Sequence, residues 1–129
     1  MIRIEHMALY CVDLEAMKEF FVRYFDAVAG PMYHNATTGF RSYFLSFAGG
    51  GARLEIMCRP TTAPTPQPPY SAGYHHLSIS VGSRAAVDAL TARLVAHGYP
   101  CTSGPRTTGD GYYESTIQGP EAISIEITQ

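Results

Sequence analysis

A histidine and a glutamate recur at nearly the same spacing in the two halves of the chain. Glu55 follows His6 by 49 positions, and Glu126 follows His76 by 50. Each histidine lies on a segment with the alternation of a strand, followed by a helical pattern and two short strands. The second of those strands carries the glutamate. The chain is therefore interpreted as a duplicated unit with one histidine and one glutamate in each half.

The alternation of apolar and polar residues places each of these four side chains on the polar face of its strand. The alternation is clearest on two strands of the second half. On one strand the apolar residues Leu77, Ile79 and Val81 alternate with His76, Ser78 and Ser80. On the other, Ile123, Ile125 and Ile127 alternate with Ser124, Glu126 and Thr128. His6 and Glu55 follow the same rule. A sheet that curves with its helices outside would turn the polar face into a cavity, where two imidazoles and two carboxylates converge.

This ligand set predicts a site for one divalent metal ion. Nitrogen and oxygen ligands at about 2.0–2.2 Å suit zinc, and nickel, cobalt, manganese and iron are also compatible, with zinc or nickel preferred. The alternative for each histidine is a core side chain with satisfied hydrogen bonds, and for each glutamate a surface carboxylate. Matched positions in a repeat favour the ligand interpretation.

The remaining pattern predicts one domain, residues 1–129, made of two modules at about 1–58 and 73–129. Five prolines between Arg59 and Tyr70 predict an extended linker at about 59–72. Asp13 and Ser83 are expected to cap the two helices, which end near Asp26 and Gly98. Strands are predicted at 2–12, 40–48, 53–57, 74–81, 112–118 and 123–128, and loops at 32–39 and 99–111.

Composition excludes several classes of partner. A formal charge of −2 with nine Lys and Arg residues gives no basic surface for nucleic acid. No apolar run reaches the roughly 18 residues that a membrane span needs, and no signal-peptide pattern is present. The three cysteines fit no disulfide framework, and Cys11 and Cys58 are in phase with apolar residues. Buried reduced thiols and a cytoplasmic location are therefore expected.

Four segments resemble the vicinal oxygen chelate superfamily, also called the glyoxalase/bleomycin-resistance/dioxygenase superfamily. They are His6-Met-Ala-Leu-Tyr, Arg53-Leu-Glu55-Ile, His75-His76-Leu-Ser-Ile-Ser-Val and Gly119-Pro-Glu-Ala-Ile-Ser-Ile-Glu126-Ile. The resemblance covers nearly the whole chain. It implies an α+β fold of two βαβββ modules, with a curved mixed sheet and helices outside. It also implies the metal ligands His6, Glu55, His76 and Glu126 of glyoxalase I, and a homodimer.

The activity implied by the resemblance is that of a glyoxalase-I-like lyase or isomerase acting on a small substrate through a metal-chelated enediolate. Glu126 is the first choice for the catalytic base and Glu55 the second, with glutathione or another thiol as co-substrate. The alternatives are an epimerase, a fosfomycin-type thiol transferase, a dioxygenase and a non-catalytic small-molecule binding protein. The motifs assign no residues of this sequence to the arginine and asparagine that hold glutathione in glyoxalase I, and the usual Asp-Pro-Asp-Gly turn is replaced by Gly119-Pro120-Glu121-Ala122.

Four further residues are candidates for contact with the substrate. Arg53 and Arg41 can each bind an anionic group through two hydrogen bonds, although a stacked surface arginine is an equal alternative. Tyr10 and Met57 are in phase with His6 and Glu55 and are expected to line the cavity.

Overall fold

The computed structural model describes residues 1–64, 66 and 68–129. Its contacts separate the chain into two units, Met1–Pro66 and Gln67–Gln129, each with its own sheet. The expected linker at about 59–72 includes Thr65 and Gln67, which lie outside the described residues. In the described part of the chain, no helix has the length and apolar character to cross a membrane.

The first unit is a mixed sheet with one helix packed against it. Its elements are β1 (His6–Tyr10), α1 (Leu14–Phe25), β2 (Val28–Ala29), β3 (Tyr33–His34), β4 (Arg41–Ser46) and β5 (Arg53–Cys58). The strand order is β1-β5-β4-β2, and β3 pairs with β4. Since β1 is parallel to β5, the beginning and the end of this half lie side by side.

The second unit repeats this connectivity. Its elements are β6 (Leu77–Ser80), α2 (Arg84–Ala96), β7 (Cys101–Thr107), β8 (Tyr113–Gln118) and β9 (Ser124–Thr128), with a 3₁₀ turn at Pro120–Ala122. The order is β6-β9-β8-β7, and β6 is parallel to β9. The α+β class and the βαβββ plan are therefore confirmed, with the short β3 as an addition in the first unit.

Helix α1 forms where its cap and apolar spacing predict it. The Asp13 carboxylate accepts a hydrogen bond from the Ala16 amide at 2.9 Å, and Asp26 ends the helix with a left-handed backbone, φ 51°. One face of the helix is buried against the sheet: Leu14, Met17, Phe20, Phe21, Tyr24 and Phe25. That burial accounts for most of the stabilisation of so short a helix.

Helix α2 is capped in the same way. The Ser83 hydroxyl accepts from the Ala86 amide at 3.2 Å, and Gly98 follows the last turn with φ +93°. Its apolar face packs on fully buried residues of β8 and β9, and the core comprises Val87, Leu94, Ile117, Ile125 and Ile127. Thr91 and Ser115 are also buried. The Thr91 hydroxyl donates to the Val87 carbonyl at 2.6 Å and lies 2.6 Å from the Ser115 hydroxyl, so it accepts the Ser115 hydrogen bond.

The prediction of a loop at 99–111 is wrong, because Cys101–Thr107 is strand β7 at the edge of the second sheet. Gly104 and Pro105 suggested a loop. An edge strand tolerates proline, since one side of its backbone has no ladder partner. The pairing with β8 shifts register around Ser103, which accommodates both residues. The region 32–39 likewise includes β3, and the first strand begins at His6 rather than at residue 2.

Replacing Tyr43 with phenylalanine is expected to lower the free energy of unfolding by about 1 kcal/mol at neutral pH. The buried Tyr43 hydroxyl donates to the Glu15 carboxylate at 2.7 Å, and this bond, followed by that of Lys18, lowers the pKa of Glu15 from its usual 4.5. The loss is modest because Glu15 is half exposed. Urea unfolding of the wild type and the variant measures it.

The pH dependence of that difference has a definite sign. A carboxyl whose pKa is lowered by folding stabilises the protein above its unfolded pKa of 4.5, and this contribution is lost as the pH falls through the lowered value. The gap between wild type and Tyr43→Phe should therefore narrow below pH 4.5. Tyr33→Phe is the control, because Tyr33 is exposed. If the difference in unfolding free energy between the wild type and Tyr43→Phe stays constant until the protein unfolds in acid, the Tyr43–Glu15 hydrogen bond does not have this role.

Candidate metal site

The two parallel strand pairs each have one buried face and one open face. On β5, Leu54 and Ile56 are buried, while Arg53, Glu55 and Met57 are half-buried. On β9, Ile125 and Ile127 are buried, while Glu126 is half-buried. The histidines precede or begin the neighbouring strands β1 and β6, and both are exposed.

The pairing register makes the two halves equivalent at these positions. Ala8 lies opposite Glu55 in the first sheet, and Ser78 lies opposite Glu126 in the second. Each histidine precedes that partner by two residues, so each half has an imidazole diagonal to a carboxylate. The repeat seen in the sequence spacing is thus also a repeat of backbone register.

In the second unit the two candidate ligands are in contact. Nε2 of His76 lies 3.4 Å from Oε2 of Glu126. The hydroxyl of Ser78 donates to Oε1 of Glu126 at 2.6 Å. Nδ1 of His76 is 2.8 Å from Nδ1 of His75, so one of the two rings donates to the other. When His76 is the donor, its Nε2 has the lone pair that a metal ion needs.

In the first unit His6 is oriented by its neighbour. Its Nδ1 donates to Oε2 of Glu5 at 2.5 Å, which leaves Nε2 as the nitrogen with a lone pair. The ring contacts the edge of Phe44, with centroids 5.3 Å apart. Glu55 lies on the same face, opposite Ala8 and Phe44, without a direct contact to His6 among the contacts of the described residues.

Two carboxyl groups beside the candidate ligands have shifted pKa values. The hydrogen bond from His6, followed by that from Arg53, lowers the pKa of Glu5. Burial, followed by a hydrogen bond with Glu126, raises the pKa of Glu114. Glu114 lies on β8 two residues before Thr116, the residue opposite Glu126. A protonated Glu114 can therefore donate to the Glu126 carboxylate.

The candidate substrate residues fall on both faces of the first sheet. Tyr10 and Met57 lie opposite each other on the open face. Arg53 shares that face, but its guanidinium binds Glu5 through Nε at 2.9 Å and through Nη2, and it stacks over Phe44. Arg41 lies opposite Cys58 on the buried face and donates to its sulfur at 3.3 Å, so it is on the other side of the sheet from Glu55.

Four residues that had no predicted role lie next to the candidate ligands and substrate residues in the structure. Glu5 binds His6 and Arg53, and Ser78 and Glu114 contact Glu126. Arg59 donates to the Tyr10 hydroxyl at 3.3 Å and stacks over Phe40. Strand alternation places Ser78 on the face of His76, and Glu114 on the half-buried face of its own strand, but it does not show that either contacts Glu126. No comparable sequence signal points to Arg59.

The donor atoms suit a divalent ion. Two ligands that each lie about 2.1 Å from a tetrahedral ion are about 3.4 Å apart. His76 Nε2 and Glu126 Oε2 have this separation, 3.4 Å. In each half Nδ1 contacts the preceding residue, Glu5 or His75, which matches the second contact of metal-binding histidines. Across residues 1–64, 66 and 68–129, no three His, Cys, Asp or Glu side chains form a ready metal cluster. The described structure therefore supplies the donor pair of the second half rather than a complete site.

The family of the chain follows from comparison with known proteins. Residues 3–127 match the Glyoxalase/Bleomycin resistance protein/Dioxygenase superfamily. The chain belongs to this superfamily, and the resemblance inferred from its motifs is confirmed. An uncharacterized protein of Bacillus subtilis (strain 168), YqjT, is 25% identical over 130 residues, which cover 96% of each chain.

Solved structures show the same fold. A glyoxylase/bleomycin resistance protein/dioxygenase domain from Frankia sp. EAN1pec has a TM-score of 0.82 at 18% identity, covering 99% of this chain and 97% of that one. The trypanothione-dependent glyoxalase I of Leishmania major has a TM-score of 0.80 at 17% identity, covering 100% and 87%. At these identities the similarity concerns the fold alone.

Proposed function

We propose that the chain is a metal-dependent lyase or isomerase of glyoxalase-I type, with His6, Glu55, His76 and Glu126 as ligands of one divalent ion. The observation that carries the proposal is the imidazole–carboxylate pair at the same register in both sheets. The 3.4 Å separation of His76 Nε2 and Glu126 Oε2 supports it further. Zinc or nickel is preferred, and cobalt, manganese and iron suit the same donors.

The chemistry divides between the ion and the side chains. His6, Glu55, His76 and Glu126 would hold the divalent ion, which would supply Lewis-acid polarisation of the substrate. Glu126, which would have to loosen its bond to the ion when the substrate arrives, removes the proton beside a carbonyl and returns it to the adjacent carbon, which isomerises the substrate. Glu55 is the second choice for this base. Both carboxylates lie on open strand faces, where a small substrate can reach them.

The substrate side of the proposal uses the open face of the first sheet. Tyr10, Met57 and Arg53 line it, whereas Arg41 is left out because it lies on the buried face. The co-substrate is glutathione or another thiol. A homodimer and a cytoplasmic location complete the proposal.

Removal of the metal is expected to abolish turnover, and its return to restore it. The protein is stripped with a chelator, then loaded in turn with Zn²⁺, Ni²⁺, Co²⁺, Mn²⁺ or Fe²⁺. Each form is assayed with methylglyoxal and glutathione, trypanothione or a small thiol, and metal content is measured by mass spectrometry. Binding of one ion per chain with turnover by at least one form supports the proposal.

Two results would contradict it. A protein that binds no divalent ion lacks the site altogether. The substrate in these assays is the hemithioacetal that methylglyoxal forms with the thiol. A protein that binds the ion without isomerising any such hemithioacetal is a binding protein or a different enzyme of the superfamily. Assays for epimerisation, for thiol transfer to fosfomycin and for oxygen consumption then show whether the protein is an epimerase, a thiol transferase, a dioxygenase or none of these.

A further inference from the structure

The two glutamates occupy equivalent positions but have unlike neighbours. Glu55 lies between Ala8 and Phe44 on the adjoining strands. Glu126 lies between Ser78 and Thr116. Because the registers match, the difference comes from the side chains and not from the backbone. One half of the repeat thus has a polar setting for its carboxylate, and the other half has an apolar one.

The Ser78 hydroxyl and the His76 ring contact different oxygens of Glu126. Ser78 Oγ donates to Oε1 at 2.6 Å, while Oε2 is the oxygen that lies 3.4 Å from His76 Nε2. The last torsion of a glutamate side chain is broad and roughly two-fold, so nothing intrinsic distinguishes its two oxygens. The Ser78 bond therefore favours one setting of the carboxylate plane, and Glu114 is a second hydrogen-bonding neighbour of the same carboxylate.

The chemistry of the two groups favours this bond, although Ser78 itself is exposed. The Glu126 side chain that accepts it is 20% exposed. Serine has a short side chain, and little rotamer freedom is lost when its hydroxyl is held. A hydrogen bond to a carboxylate is also stronger than one between neutral groups.

We propose that Ser78 is a positioning residue that holds the Glu126 carboxylate with Oε2 toward His76, and that Ala8 leaves Glu55 without an equivalent restraint. The consequence for metal binding and turnover rests on the proposed function. The two halves then differ, with a carboxylate held by a serine in the second and one opposite an alanine in the first. Ser78 and Ala8 are the matched pair on the parallel strands at which the two halves differ.

A structural test needs neither metal nor substrate. Crystal structures of the metal-free wild type, Ser78→Ala and Ser78→Thr are compared. The Glu126 carboxylate is expected to turn away from its wild-type position in Ser78→Ala and to keep that position in Ser78→Thr, which retains the hydroxyl. An unchanged carboxylate in Ser78→Ala would overturn the proposal.

A functional test uses the metal-loaded protein. Ser78→Ala is expected to weaken Zn²⁺ binding or lower kcat by about 10- to 100-fold, as loss of a partner of a metal ligand does, with KM within about threefold of the wild type. Ser78→Thr should recover most of the loss. Ser80→Ala is the matched control, since Ser80 lies on the same face but opposite Thr128. Equal effects of Ser78→Ala and Ser80→Ala would contradict a specific role for Ser78.

The two tests separate this inference from the proposed function. A wild type without metal binding or turnover refutes the metal-dependent lyase, while the crystal structures still decide whether Ser78 orients Glu126. Conversely, the wild type can be active while Ser78→Ala keeps the orientation of the Glu126 carboxylate, the kcat and the metal affinity of the wild type. That result refutes only the positioning role of Ser78. Thermal unfolding of each variant shows whether a loss reflects folding instead.

Discussion

Glu126→Gln is expected to lower kcat by at least about 10³-fold while most of the metal stays bound, because an amide cannot accept the substrate proton. Glutamine has the shape of glutamate and keeps one oxygen. That oxygen can ligate an ion or accept the Ser78 hydroxyl, which bonds Oε1 of Glu126 at 2.6 Å. The measurement is steady-state turnover of the hemithioacetal together with metal content.

Glu55→Gln is the matched comparison for that experiment, since Glu55 has the same position in the other sheet. A smaller effect of Glu55→Gln assigns the base to Glu126. A larger effect transfers that role to Glu55, the carboxylate with apolar neighbours. Unchanged turnover in Glu126→Gln would remove Glu126 from the mechanism.

The sequence predicts the faces of the strands well, because alternation is a local property. Leu54 and Ile56 are buried and Glu55 is on the open side, as their phase indicates. The helix caps at Asp13 and Ser83 are also local, since each side chain bonds an amide three residues away. These features need no knowledge of which strands are neighbours.

The same alternation separates the two candidate arginines. Arg41 is a candidate because its guanidinium can bind an anionic group through two hydrogen bonds, but Tyr43 and Leu45 are in phase with it and are buried on the helix side. The phase of β4 therefore already argued against a position beside Glu55. Arg53, two residues before Glu55, is on the same face by the same rule.

Contacts that depend on the pairing register of distant strands could not be predicted from the sequence. Ser78 and Glu126 are 48 positions apart, and their bond exists only because β6 and β9 pair in parallel with these two residues opposed. The pairing of Glu5 with Arg53 has the same origin in β1 and β5. The edge strand β7 was missed because Gly104 and Pro105 disfavour a strand locally, whereas pairing with β8 decides the outcome.

His6→Ala and His76→Ala are each expected to reduce the affinity for Zn²⁺ by at least about 100-fold, since loss of a ligand costs no less than loss of its hydrogen-bonding partner. The two effects should be similar, because the histidines hold equivalent positions diagonal to Glu55 and Glu126. Chelator competition with the metal-free variants measures both affinities. Turnover should fall in parallel.

His97→Ala is the control, because His97 follows the last turn of α2 on the exposed side of the second unit. Its Zn²⁺ affinity should match that of the wild type, which excludes a general effect of losing one imidazole. The comparison between the two test variants is decisive for the duplicated site. If His76→Ala loses the ion and His6→Ala retains it, the second half alone binds the metal, and the first half has kept the fold of the repeat without its ligand.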